Sequence, residues 1–205
     1  MKKYVYLFLP NKAEGSAQMV NLLGGKGANL AEMTNLGIPV PPGLTISTEV
    51  CAYYMKYNKL PHGLKNQVSQ AIKKIESYMK LQFSSSTTPL LFSVRSGARQ
   101  SMPGMMETVL NIGLCSKTIP GLIDCTNNPR FVYDAYRRLI MMYSDVVLEK
   151  ANDCFANKNP GIRLQLEKDL NKIKKLYNYK YDSELSVQHL KELCKNFNKQ
   201  IIKNF

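Results

Sequence analysis

The chain has 205 residues, 44% of them hydrophobic and 21% charged, ordinary values for a soluble globular protein of one large domain or two small ones. No apolar stretch reaches the ~20 residues that a membrane-spanning helix needs, so no membrane partner is expected. The net charge is +13, divided as +7 in residues 1–115 and +6 in residues 116–205; spread this way, it reads as a solvated basic surface that suits a polyphosphate. A nucleic-acid partner would call for a stripe of cations with aromatics interleaved, and none is expected.

The N-terminus, Met1-Lys2-Lys3 followed by Tyr4–Leu9, has the outline of a signal peptide, but its apolar run is short and Pro10 stops it. Alternating aromatic and branched residues there predict a first strand. Gly24-Gly25-Lys26-Gly27 then breaks the chain before a helix carrying Leu30, Met33 and Leu36, with Gly37 at its C-terminal cap. Ile38–Gly43 holds three prolines and is extended. Leu44-Thr45-Ile46 is a short strand, and Ser47 and Thr48 can cap a helix through Cys51, Tyr54 and Met55. Leu64, Val68, Ala71, Ile72, Ile75 and Met79 mark a longer amphipathic helix. A polar loop, Ser84–Pro89, leads to Leu90-Leu91-Phe92, read as a short buried strand.

Residues 116–205 change character. Asn128-Pro129 is a helix start, cap then first-turn proline, and Phe131, Ala135, Leu139, Met142, Val146 and Val147 form its apolar stripe, with Arg137 and Arg138 on the solvated side. Leu166, Leu170, Ile173 and Leu176 mark a second helix. Ser186 caps a third, carrying Leu190, Leu193, Phe197 and Ile201. The expectation is an α+β region over 1–115 and an all-helical subdomain over 116–205. Cys51, Cys115, Cys125, Cys154 and Cys194 are scattered, odd in number and without a CxxC pair. Reduced thiols in the cytoplasm, or in an organellar matrix, are therefore expected rather than disulfides or zinc. His62 and His189 add no metal-binding pattern.

Two segments carry chemistry. Gly24-Gly25-Lys26-Gly27 sets a lysine at a helix N-terminus, where free amides and the helix dipole favour an anion. Gly27 stands where a Walker A loop needs Ser or Thr, so the segment is not that motif; alone, it reads first as a plain turn capping a helix, and its weight comes from sharing a chain with the Arg95 loop. Ser93-Val94-Arg95-Ser96-Gly97-Ala98-Arg99-Gln100-Ser101-Met102-Pro103-Gly104-Met105-Met106-Glu107-Thr108 delivers two guanidiniums into a glycine-punctuated loop. Arginine binds phosphate oxygens bidentately, and the three methionines read as an apolar cover over the charge. Glu107 could bridge to a metal or a substrate cation, but a lone carboxylate is more often structural.

With these segments side by side, the chain resembles the pyruvate, phosphate dikinase family. The resemblance runs through Tyr4–Phe8, Leu22–Met33, Gly37–Gly43, Ser93–Arg99, Ser101–Asn111 and Phe131–Ile140, essentially the whole chain. It implies α+β architecture: the first half of an ATP-grasp domain (phosphate-binding subdomain over 1–115) with a helical subdomain over 116–205. It implies Lys26 and Arg95 as catalytic contacts to the ATP phosphates, with Arg99, Ser101, Met102, Gly104, Met105 and Thr108 as further nucleotide-binding positions. ATP would phosphorylate a histidine on a swivelling domain, inorganic phosphate being co-substrate, and a barrel domain would make phosphoenolpyruvate from pyruvate. The Mg2+-binding carboxylates and those domains are expected beyond Phe205, the full-length enzyme as a homodimer, and this chain alone as a fragment without turnover. The alternatives are a stand-alone, non-catalytic nucleotide- or polyanion-binding module and a fragment of a phosphoenolpyruvate synthase-like dikinase.

Overall fold

Alternation along the N-terminus produces the strand it predicts, β1 (Val5–Leu9), with Val5, Leu7 and Phe8 buried. Asn11, at φ 61, turns the chain into β2 (Lys12–Ala13). Both β2 and β3 (Gly43–Ile46) pair antiparallel with β1, giving the order β2-β1-β3, with Val5 opposite Ile46 and Phe8 opposite Ala13. Helices α1 (Val20–Asn35) and α3 (Leu64–Met79) pack on this sheet, and α2 (Thr48–Tyr57) packs against α1. Leu23, Ala28 and Ala31 of α1 and Leu64, Ala71 and Ile75 of α3 are buried. Strand β4 (Gln82–Phe83) follows α3. The computed structural model describes residues 2–97, 108–149 and 161–205, and these elements belong to the first of two compact units, residues 1–83 with 95–107.

The cap at the end of α1 matches its sequence signal. Gly37 has φ +77, its N–H donates to the Thr34 carbonyl (3.1 Å), and the Ile38 N–H reaches back to Met33 (2.9 Å). This paired geometry, with a glycine in left-handed backbone, satisfies carbonyls that the helix leaves open. The helix predicted after Ser47 forms as α2, but Val50 is its buried residue and Met55 is 80% exposed. The Ser47 side chain makes no capping bond.

The second unit takes residues 84–94 and 108–205. It begins with β5 (Pro89–Leu90) and β6 (Phe92–Arg95), and β6 forms a two-stranded sheet with β7 (Thr108–Ile112). The buried strand expected here holds only as far as Leu90; Ser93, Val94 and Arg95 are exposed, because β6 has a single strand neighbour. Helices α4 (Ile119–Thr126), α5 (Pro129–Tyr143), α6 (Ile162–Leu176) and α7 (Val187–Asn204) complete the unit. The two predicted caps form: Asn128 Oδ1 accepts from Phe131 N at 2.9 Å, and Ser186 Oγ from His189 N at 3.2 Å. A π-helical turn, Ser144–Glu149, extends α5.

Val109 and Leu114 share one apolar cluster with Ile119, Val132 and Leu139, so the units do not follow a single cut at residue 115. A second cluster joins Ile140 to Leu166, Leu170, Leu190, Leu193 and Phe197. Of the stripe read along α5, Leu139 is buried and Ala135, Val146 and Val147 pack against the same cluster; Phe131 is instead 57% exposed, and Val132 and Ile140, outside that stripe, are buried as well. Leu176, read as part of the α6 stripe, is also exposed, at the end of its helix. The described part of residues 116–205 contains helices and turns and no strand.

Candidate phosphate-binding site

The site begins at a discontinuity in α1. Gly24 has φ 70 and ψ 164, a conformation outside the helix that residues with a Cβ rarely adopt. The helix therefore stops at Leu23 and starts again at Gly25, which gives it a second N-terminus within one continuous segment. The sequence reading put the break before Ala28; the restart lies three residues earlier, so Lys26 falls in the first helical turn. Gly27 is fixed by packing, since a Cβ there would lie 2.6 Å from the Thr45 methyl group. A Cβ at Gly25 would meet nothing within 4 Å.

Lys26 is half-buried, and its Nζ donates to the carbonyl oxygen of Ser96 at 3.4 Å. Seventy residues of sequence separate the two, and both belong to the first unit. The lysine is thus tied to the backbone directly after Arg95. Arg95 is exposed at the end of β6, and no hydrogen bond or ion pair among the described residues engages its guanidinium. A helix N-terminus, an ammonium and a free guanidinium offer an anion dipolar, point-charge and bidentate contacts.

Thr108 opens β7 in the second unit and is half-buried. Arg99, Ser101, Met102, Gly104, Met105 and Glu107 lie outside the described residues. Among the described residues no three His, Cys, Asp or Glu side chains stand together as a metal site. His62 is exposed, and His189 lies stacked 3.9 Å from the Tyr177 ring with the Tyr179 hydroxyl 3.2 Å from its Nδ1. No described helix is long and apolar enough to cross a membrane.

Residues 20–78, which hold the restarted helix and Lys26, match the family described as pyruvate phosphate dikinase, AMP/ATP-binding domain. Across 198 residues, 96% of this chain, it is 45% identical to pyruvate, phosphate dikinase of Clostridium symbiosum. The chain belongs to the pyruvate, phosphate dikinase family. The enzyme of Rhizobium meliloti (strain 1021) is 51% identical over 76% of the chain, and the chloroplastic dikinase 1 of Oryza sativa subsp. japonica 42% identical over 96%. The chain spans about a fifth of the length of these dikinases: 21%, 17% and 20% respectively.

In this member of the dikinase family, the second unit contains a polar network that the helical periodicity did not reveal. Arg137 is 3% exposed, against its expected place on the solvated side of α5, while Arg138 is exposed. Arg137 Nη2 donates to Asp134 Oδ1 at 2.7 Å and to Asp182 Oδ2 at 3.2 Å, and its Nε donates to Asp134 Oδ1 at 3.0 Å. Lys174 Nζ reaches Asp182 Oδ1 at 2.8 Å, and Arg130 Nη2 donates to the Asp182 carbonyl, also at 2.8 Å. Burial raises the Asp182 pKa, but the Lys174 hydrogen bond and the Arg137 charge outweigh it and hold the carboxyl below its ordinary value. Asp134, three residues before Arg137, was the one sequence signal that this arginine has an inward partner.

Proposed function

We propose that this chain is the ATP-binding part of a pyruvate, phosphate dikinase. The whole enzyme would convert ATP, pyruvate and phosphate to AMP, phosphoenolpyruvate and diphosphate through a phosphohistidine carried on another domain. In this reading the α+β first unit is half of an ATP-grasp site, and Lys26 and Arg95 neutralise the phosphates of ATP. In-line phosphoryl transfer chiefly requires positioning and charge neutralisation, which a lysine at a helix N-terminus and a bidentate guanidinium supply. The remaining dikinase domains are its partners in a homodimeric enzyme, and the chain alone is expected to form no phosphoenolpyruvate. Mg2+ is assigned to none of its residues. The free thiols at Cys51, Cys115, Cys125 and Cys194 favour a cytoplasmic protein.

The observation that carries the reading is the 3.4 Å approach of Lys26 Nζ to the carbonyl of Ser96, the neighbour of Arg95. Two cationic motifs far apart in sequence meet within one compact unit. Titration with ATP tests it. Lys26→Ala and Arg95→Ala should each weaken ATP binding by about tenfold or more, the loss of one charge-assisted contact. A surface control such as Lys168→Ala should leave the affinity unchanged. Equal affinity in wild type and both site variants would remove the assigned role from both residues.

A further inference from the structure

The break at Gly24 has two sides. After it, the restarted helix opens amides towards an anion; before it, the last carbonyls of the first helical segment lose their amide partners. Asn21 carries one of these carbonyls. In a continuous helix it would accept from the Gly25 N–H four residues on, but φ 70 and ψ 164 at Gly24 carry that N–H away. The Gly25 amide therefore serves one of two purposes. Paired with Asn21, it makes α1 continuous; released, it is an open donor in the same turn as Lys26.

Thr48, the first residue of α2, supplies a substitute donor. It is half-buried, and its Oγ1 donates to the Asn21 carbonyl at 2.7 Å, across 27 residues of sequence. A threonine hydroxyl has one proton to give, and here it goes to α1 rather than to the helix that Thr48 opens. Three residues earlier, Thr45 of β3 meets the other segment: a Cβ on Gly27 would lie 2.6 Å from its methyl group and 3.1 Å from its hydroxyl. Between them Ser47 is buried, and its N–H donates to the Tyr4 carbonyl at 2.8 Å, which ties the stretch to the backbone just before β1. Residues 45–48 thus brace α1 on both sides of Gly24, by a hydrogen bond before the break and by packing after it.

We propose that Thr48 is a positioning residue for the phosphate site: by engaging the Asn21 carbonyl it favours the broken form of α1 and keeps the Gly25 amide, beside Lys26, open to the anion. Loss of the hydroxyl would shift α1 towards the continuous form, in which the Gly25 amide turns back to Asn21 and is withdrawn from the ligand. The inference rests on the assignment of Lys26 to the ATP phosphates.

The test uses the 205-residue chain, with ATP titration and hydrogen exchange at the Gly25 amide followed by NMR. Thr48→Val keeps the side-chain shape and removes the donor; it should weaken ATP binding about three- to tenfold, the effect of one net hydrogen bond on the population of the broken form. The Gly25 amide should gain protection in the same variant. Thr48→Ser should restore both, and Thr48→Ala, a smaller side chain without a donor, should repeat the valine result should valine disturb the packing. Thr126→Val removes a matching bond in α4, from Thr126 Oγ1 to the Leu122 carbonyl at 2.7 Å, and should change neither measurement. Unchanged affinity, unchanged exchange at Gly25 or failure of serine to rescue would each overturn the proposal. Lys26→Ala separates the two readings: if it weakens binding and the Thr48 variants do not, the positioning role alone falls, whereas full affinity in Lys26→Ala removes the nucleotide assignment and this inference with it.

Discussion

Gly25 and Gly27 are two glycines in one helical turn with opposite constraints. A Cβ on Gly27 meets the Thr45 methyl at 2.6 Å and Leu23 Cβ at 3.2 Å, whereas one on Gly25 meets open space. Gly27→Ala should therefore destabilise the chain by ~1–3 kcal/mol through overpacking. Thr45→Ala in the same chain should recover much of that loss, a coupling that a double-mutant cycle of thermal unfolding would measure. Gly25→Ala should raise stability by roughly 0.5–1 kcal/mol, because alanine is the better helix former; a fall in stability would show that the restart geometry cannot take a side chain. Cys194 offers a second check at this scale. Its thiol is buried, pushed up to about 12 by that burial, with Sγ 3.6 Å from the Tyr133 carbonyl. Under native conditions a maleimide should label exposed Cys51 and Cys125 and leave Cys194 unmodified until the chain unfolds.

Helix α5 shows how far periodicity carries and where it stops. Its N-terminus was legible, since Asn128 and Pro129 fix both the cap and the first-turn backbone; Asn128→Ala should cost ~1 kcal/mol in thermal unfolding. Its inner face was legible in part: Leu139 is buried as read, whereas Phe131 is exposed and Val132 and Ile140 are buried beyond the stripe. Arg137 and Arg138 are neighbours in sequence, and composition gives no reason to bury either. Contact with the 182–184 turn and α6 decides: Arg137 meets Asp134 and Asp182, while Arg138 keeps a 62% exposed side chain on Asp134. Arg137→Ala should destabilise by ~1–3 kcal/mol, because it empties a buried position and removes its contacts to Asp134 and Asp182, which keep Arg138 and Lys174 as partners. Arg138→Ala should stay within ~0.5 kcal/mol.

At the scale of the molecule, Asp182 links the fold to pH. Its folded carboxyl binds a proton more weakly than the unfolded one, because Lys174 and Arg137 favour the charged form against the effect of burial. The stability it contributes is therefore complete above the ordinary carboxyl value of 3.8 and is lost as pH falls through the lower folded value. Melting temperatures of wild type and Lys174→Met, compared from neutral pH down to about pH 2, should converge at the acid end. A constant gap over that range would mean that Lys174 does not act through this carboxyl.

Sequence alone settled what depends on neighbours within about four residues: the alternation of β1, the glycine cap at Gly37, the caps at Asn128 and Ser186, and the two cationic motifs that carry the family relationship. Hydrogen bonding, φ preference and helical spacing are local, so they can be read along a line. Tertiary structure decided which face of each element turns inward, the exposure of the strand before Arg95, the burial of Arg137 and the meeting of Lys26 with the backbone at Ser96. Each of those depends on a partner tens of residues away, and burial is set by that partner rather than by the residue itself.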